Sequence, residues 1–113
     1  MPFKVAVASS DCKFINQHFG RARQFLIFEI KDTGGFQYLA LRENAPPCGV
    51  QEHDNDLLEK TVDLVSDCKF VFASQIGPGA AGILISRGIQ PRAVPGFIED
   101  VLKQFTQNKT KKH

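Results

Sequence analysis

The sequence predicts an α/β domain built on a mixed sheet, and three observations carry the prediction. Phe3-Lys4-Val5-Ala6-Val7-Ala8 is apolar on both faces after Lys4, the pattern of a strand with neighbours on either side. From about Asp54 the hydrophobic period becomes helical, with Leu58, Val62 and Val65 at i, i+4 and i+7. Gln75-Ile76-Gly77-Pro78-Gly79 then reads as a strand-to-helix turn, with Pro78 suited to open the helix.

The remaining elements follow in chain order. A loop runs from Ser9 to Arg23, and irregular segments of that length in a compact domain are commonly functional. Gln24 to Ile30 is the second strand. Lys31-Asp32-Thr33-Gly34-Gly35 is a turn rich in residues that tolerate positive φ, so a hairpin leads to a third strand from Phe36 to Glu43. Asn44 to His53 is a second loop, broken by Pro46-Pro47 and containing Cys48-Gly49. In the first helix Asp56 and Glu59 have capping-box spacing. Lys69 to Ser74 is a buried strand, and Ala80 to Arg87 a helix that Gly88 terminates. Ile89 to Val94 is a short strand, which Pro91 assigns to a sheet edge. Phe97, Val101, Leu102 and Phe105 line one face of the last helix. Thr106 to His113 reads as a polar, frayed tail. The expectation is a single domain over residues 1–113 with its ordered core at about 3–105.

Composition narrows the function classes. The net charge of +2 invites a nucleic-acid reading, but without Lys109, Lys111 and Lys112 the chain has 11 basic and 12 acidic residues. The body is therefore about neutral and lacks the basic face that generic nucleic-acid binding needs. No signal-peptide core and no membrane-length segment stand out. Cys12, Cys48 and Cys68 are odd in number and widely spaced, which fits a reducing compartment, and the expected location is the cytoplasm. Cys68, directly before a buried strand, is expected in the core, and Cys12 as a half-buried structural thiol.

Connectivity assigns the loops to one end of the sheet. If the first strand points up, the hairpin sends the second down and the third up, and helical crossovers return the fourth and fifth to up. The loops after strands one, three and four then open at a common edge, and they contain His18, Cys48, His53 and the Gly77-Pro78-Gly79 helix start. Open α/β sheets bind ligands outside the carboxyl ends of their strands. His18 is either a metal ligand in an electropositive setting made by Arg21 and Arg23 or a loop histidine bonded to backbone. Cys48 and His53 form a C-x4-H pair of soft ligand types, suited to iron–sulfur or zinc, or else a surface thiol and a helix-capping imidazole. Three candidate ligands are one short of a closed tetrahedral site, which favours an open, exchangeable one. Backbone N–H groups at Gly77 and Gly79 offer a generic anion site without a P-loop lysine, or simply a tight turn. No nucleophilic or two-metal hydrolytic centre assembles, so catalysis is disfavoured.

Val5-Ala6-Val7-Ala8-Ser9, then Ile15-Asn16-Gln17-His18-Phe19-Gly20-Arg21-Ala22, then Phe25 with Ile27-Phe28-Glu29, resembles the dinitrogenase iron–molybdenum cofactor biosynthesis family. That family includes NifX-type carriers and the C-terminal domain of NifB-type proteins. Asp67-Cys68, Ile76-Gly77-Pro78-Gly79-Ala80, and Leu84 with Gly88-Ile89-Gln90-Pro91 are similar to its second half, so the resemblance spans about residues 3–105. It implies a ribonuclease-H-like three-layer α/β/α fold, its five strands ordered 3-2-1-4-5 with the second antiparallel. It also implies non-enzymatic binding of an iron–sulfur cluster or iron–molybdenum cofactor precursor, held transiently, with His18 as the residue that carries over best. The cofactor-binding set expected from these arguments is Asn16, His18, Arg21, Cys48, His53, Gly77 and Gly79, with His18, Cys48 and His53 as metal ligands. The competing expectation is an interaction module without metal that docks a cofactor-assembly enzyme or an iron–sulfur ATPase. A mononuclear zinc or nickel site is a third. Neither nucleic acid nor membrane is expected as a partner.

Overall fold

The computed structural model describes residues 2–32, 34–43 and 54–110. Strand β1 (Phe3–Ala8) lies at the centre of a five-stranded sheet with β3 (Gln24–Ile30), β4 (Phe36–Glu43), β5 (Phe70–Ala73) and β6 (Gln90–Ala93). The order across the sheet is β4-β3-β1-β5-β6. β3 is antiparallel to both its neighbours, whereas β1, β5 and β6 run parallel. The sheet is therefore mixed, and helices cover both faces.

The two-sided strand pattern explains this layering. Ala6 and Ala8 join Phe25, Ile27, Val71 and Ala73 in one buried cluster with Val62 and Val65 from α1 (Asp54–Leu64) and its exit turn, and with Ala80 and Leu84 of α2 (Pro78–Ser86). Val5 and Val7 join Leu26, Phe28, Phe70 and Phe72 on the opposite face, under Ile98 and Leu102 of α3 (Ile98–Thr110). The small alanines let two helices pack closely on the first face. Burying each of the larger side chains contributes about 1.5–3 kcal/mol. The hairpin turn closes where the Lys31 N–H donates to the Gly35 carbonyl at 2.8 Å. α2 opens with Pro78 at its first turn and closes at Gly88, whose φ of +79° is the left-handed conformation that favours glycine.

Four local expectations are corrected. The stretch from Ser9 to Arg23 is not all irregular: β2 (Phe14–Ile15) pairs antiparallel with β7 (Gly96–Phe97), and Phe19–Arg21 form a 3-10 turn. Phe97 accordingly belongs to that ribbon and not to the last helix. α3 continues to Thr110, and Thr106 is buried, with its hydroxyl satisfied by donating to the Lys103 carbonyl at 3.0 Å, although composition alone assigns it to a tail. Cys12 is exposed and left-handed at φ +66°, whereas Cys68 is buried.

The face of the sheet that α1 covers is fastened by charge between Arg42, opposite Phe25, and the turn before β5. Arg42 Nη1 and Nη2 donate to the two Asp67 carboxylate oxygens at 2.7 and 2.9 Å, and Nη1 also reaches the Leu64 carbonyl at 2.9 Å. Lys4 Nζ adds a 3.2 Å contact to Asp67. The Arg42 hydrogen bonds hold the Asp67 carboxyl well below the usual carboxylate range, while burial and then the Asp67 charge push the Cys68 thiol up to about 12.

Candidate functional site

The carboxyl edge is shaped by how the chain leaves β1. Ser9 is buried, and its hydroxyl accepts from the Cys12 N–H at 3.0 Å and donates to Asp11 Oδ1 at 3.2 Å. The same Asp11 oxygen accepts from the Lys13 and Phe14 N–H groups at 2.9 and 3.0 Å, and those backbone donors, Phe14 foremost, lower its pKa. A tight turn results, and it delivers Phe14 and Ile15 to the β2–β7 ribbon.

Two side-chain amides then brace the His18 segment. Asn16 Oδ1 accepts from the Ser10 N–H at 3.0 Å and lies 3.4 Å from the Ser10 hydroxyl, while Gln17 Oε1 accepts from the Arg23 N–H at 3.1 Å. The backbone of residues 17–19 extends the sheet beyond β5. The Ser74 N–H donates to the Gln17 carbonyl at 3.0 Å, the Phe19 N–H donates to the Gln75 carbonyl at 2.9 Å, and His18 pairs in parallel with Gln75. Phe19 is fully buried, with its ring 5.6 Å from that of Phe25. His18 itself is extended (φ −71°, ψ 142°) and exposed, and among the described residues nothing hydrogen-bonds its imidazole. Its neighbours are anchored, and among the described residues its side chain is not committed.

Two residues past Gln75 the chain reaches Gly77, the N-cap of α2, which has no side-chain cap and no acidic residue in its first turn. The first-turn N–H groups and the positive end of the helix dipole make this an anion-favouring terminus. A Cβ built at Gly77 would meet no atom within 4 Å, so the surface above the terminus is open. The His18–Gln75 pairing thus brings His18 and the Gly77–Gly79 turn to one edge. Arg21 lies in the 3-10 turn by its backbone, and Arg23 is exposed just beyond it. Asn16 is exposed, but its carbonyl oxygen is engaged with Ser10. Cys48 and His53 lie outside the described residues. Among the described residues no three His, Cys, Asp or Glu side chains are grouped to hold a metal ion, and no helix is long and apolar enough to cross a membrane.

Two features of this edge escaped sequence reasoning. The strap that ties residues 17–19 to Ser74 and Gln75 is made of backbone hydrogen bonds, which leave no side-chain signature; the polar Ser74-Gln75 after a buried strand is its trace in the sequence. Phe14 and Phe97, 45% and 37% exposed, lie ring to ring at 5.3 Å across the ribbon, a pairing between distant positions that no local pattern announces.

Comparison with known proteins adds a family context. A profile of the family described as dinitrogenase iron-molybdenum cofactor matches residues 1–108. The FeMo cofactor biosynthesis protein NifB of Bradyrhizobium diazoefficiens is 34% identical over 102 residues, which cover 90% of this chain and 20% of that protein. Protein NifX of Rhodobacter capsulatus is 30% identical over 108 residues, 91% of this chain and 67% of its own length. The crystal structure of PH0822 superposes with a TM-score of 0.71 at 31% identity, covering 93% of this chain and 89% of that one. The chain thus spans about a fifth of the NifB protein and two thirds of the NifX protein.

Proposed function

Because the chain belongs to the dinitrogenase iron–molybdenum cofactor family, we propose that it is a non-enzymatic cytoplasmic carrier of an iron–sulfur cluster or iron–molybdenum cofactor precursor, on a ribonuclease-H-like fold. One observation supports this most: the His18–Gln75 pairing, which sets an uncommitted imidazole beside an open helix N-terminus at the ligand-binding end of the sheet. Such a cargo is rich in sulfide and anionic overall. Imidazole is a competent iron ligand, and the Gly77–Gly79 terminus with Arg21 and Arg23 offsets negative charge. Cys48 and His53 are the further ligands of this reading, and Asn16 keeps the ligand loop in shape through Ser10. A site assembled from few protein ligands binds reversibly, as a carrier requires.

Anaerobic reconstitution with iron and sulfide tests the reading. The protein should turn brown, with visible absorption that weakens in His18→Ala and in Cys48→Ser. Wild-type protein that takes up no iron above background would sink it.

A second reading has its own support. The exposed Phe14–Phe97 pair at the same edge suits docking onto a cofactor-assembly enzyme or an iron–sulfur ATPase. If docking alone is the function, a pull-down should survive the His18→Ala, Cys48→Ser double substitution and fail in Phe14→Ser, Phe97→Ser.

A further inference from the structure

The two edges of the sheet are unlike. β6 has four residues and carries Pro91 and Arg92, which limits what can pair with it. β4 runs for eight residues without proline or lysine, and Tyr38, Leu39 and Leu41 are 50%, 41% and 42% exposed. Among the described residues, β4 pairs only with β3, so its outer backbone groups face away from the sheet.

The register of β4 contains an irregularity with a geometric consequence. Pairing with β3 slips between Ile27 and Phe28, leaving Leu39 as the extra residue. Phe36, Tyr38 and Leu41 lie opposite Ile30, Phe28 and Leu26, on the face that α3 covers, and Gln37, Ala40 and Arg42 lie opposite Glu29, Ile27 and Phe25, on the α1 face. In an unbroken strand, positions 38 and 41 would point to opposite faces. The bulge puts them on the same one.

We propose that β4 is a self-pairing edge. Two copies of the chain join antiparallel along it, about a two-fold axis between Leu39 and Ala40 and perpendicular to the sheet. Such an axis keeps each face on its own side, so pairing needs residues placed symmetrically about it to share a face, and the bulge meets that condition across the strand. Tyr38 then lies opposite the partner's Leu41, Gln37 opposite the partner's Arg42 and Phe36 opposite the partner's Glu43, each twice. Tyr38–Leu41 is an apolar cross-strand pair, and no like charges oppose each other. The contact is isologous and closes at two copies. Because the strands run antiparallel, the two carboxyl edges point in opposite directions and do not share a ligand, so the dimer is independent of the carrier reading.

Sedimentation equilibrium of the full chain from micromolar to millimolar concentration tests this. Wild type should approach twice the 12.6 kDa chain mass. Tyr38→Lys with Leu41→Lys sets lysine opposite lysine and should sediment as a monomer, as should Tyr38→Glu with Leu41→Glu. An equimolar mixture of the two should recover the doubled mass. Circular dichroism establishes that each variant is folded, and the single Leu41→Lys replaces any double variant that is not. A wild type monomeric throughout, a lysine variant that still dimerises, or a mixture that stays monomeric would each overturn the proposal.

Discussion

Phe19 donates its backbone N–H to the Gln75 carbonyl at 2.9 Å, and its ring is fully buried against Phe25. One residue therefore fastens the His18 segment both to the core and to the approach to α2. Phe19→Ala should cost about 3–5 kcal/mol, as large-to-small core substitutions of phenylalanine do. Urea unfolding checks this, and a loss under about 1 kcal/mol would mean the loop is anchored elsewhere.

The Arg42–Asp67 pair predicts a pH dependence. A carboxyl whose pKa is depressed on folding contributes stability above its unfolded pKa, near 4, and loses it as pH falls toward the folded value. Asp67→Asn should therefore lower the thermal midpoint at pH 7, and the gap to wild type should close as pH drops below about 4. Asp67 is 42% exposed, so the effect at pH 7 is about 1 kcal/mol or less. A gap that persists in acid would assign the loss to packing instead of charge.

Two glycines of α2 and its exit predict opposite signs. A Cβ at Gly82, inside the helix, meets nothing within 4 Å, so Gly82→Ala should stabilise by about 0.5–1 kcal/mol. Gly88 is equally open but left-handed, so Gly88→Ala should cost about 1–2 kcal/mol. Thermal melts of both variants should move in opposite directions from wild type.

The thiols should differ in reactivity. In a Cys48→Ser background, a disulfide reagent at mild alkaline pH should titrate one thiol in the native protein, the exposed Cys12. It should titrate two once the chain is unfolded. Burial and the raised pKa of Cys68 keep it a protonated thiol, and only the thiolate attacks.

What could be read in advance follows from which residues carry a period or a punctuation mark. β1 was legible because Val5 and Val7 alternate with Ala6 and Ala8 between two interiors, and α2 because Pro78 and Gly88 bracket it. The β2–β7 ribbon was not, since two-residue strands have no measurable period and Phe14 meets Phe97 from the other end of the chain. The last turns of α3 were lost to polar composition, although Thr106 is buried. At the carboxyl edge, His18 was identifiable by residue type and its anchor Phe19 by apolarity. The strap to Gln75 was not, because backbone hydrogen bonds are blind to sequence.

The parallel pairing of β1 with β5 also constrains the order of folding. Val5 lies opposite Phe70, 65 positions later, whereas β1, β3 and β4 are joined by shorter connections. Closing that long segment has an entropic cost that the near contacts avoid, so the antiparallel strands are expected to assemble first. Until β5 arrives, one backbone flank of the central strand stands open, and Val5 and Val7 stay uncovered until α3 packs over them. That interval is when a nascent chain is most exposed to aggregation, and when a holding chaperone would find its grip.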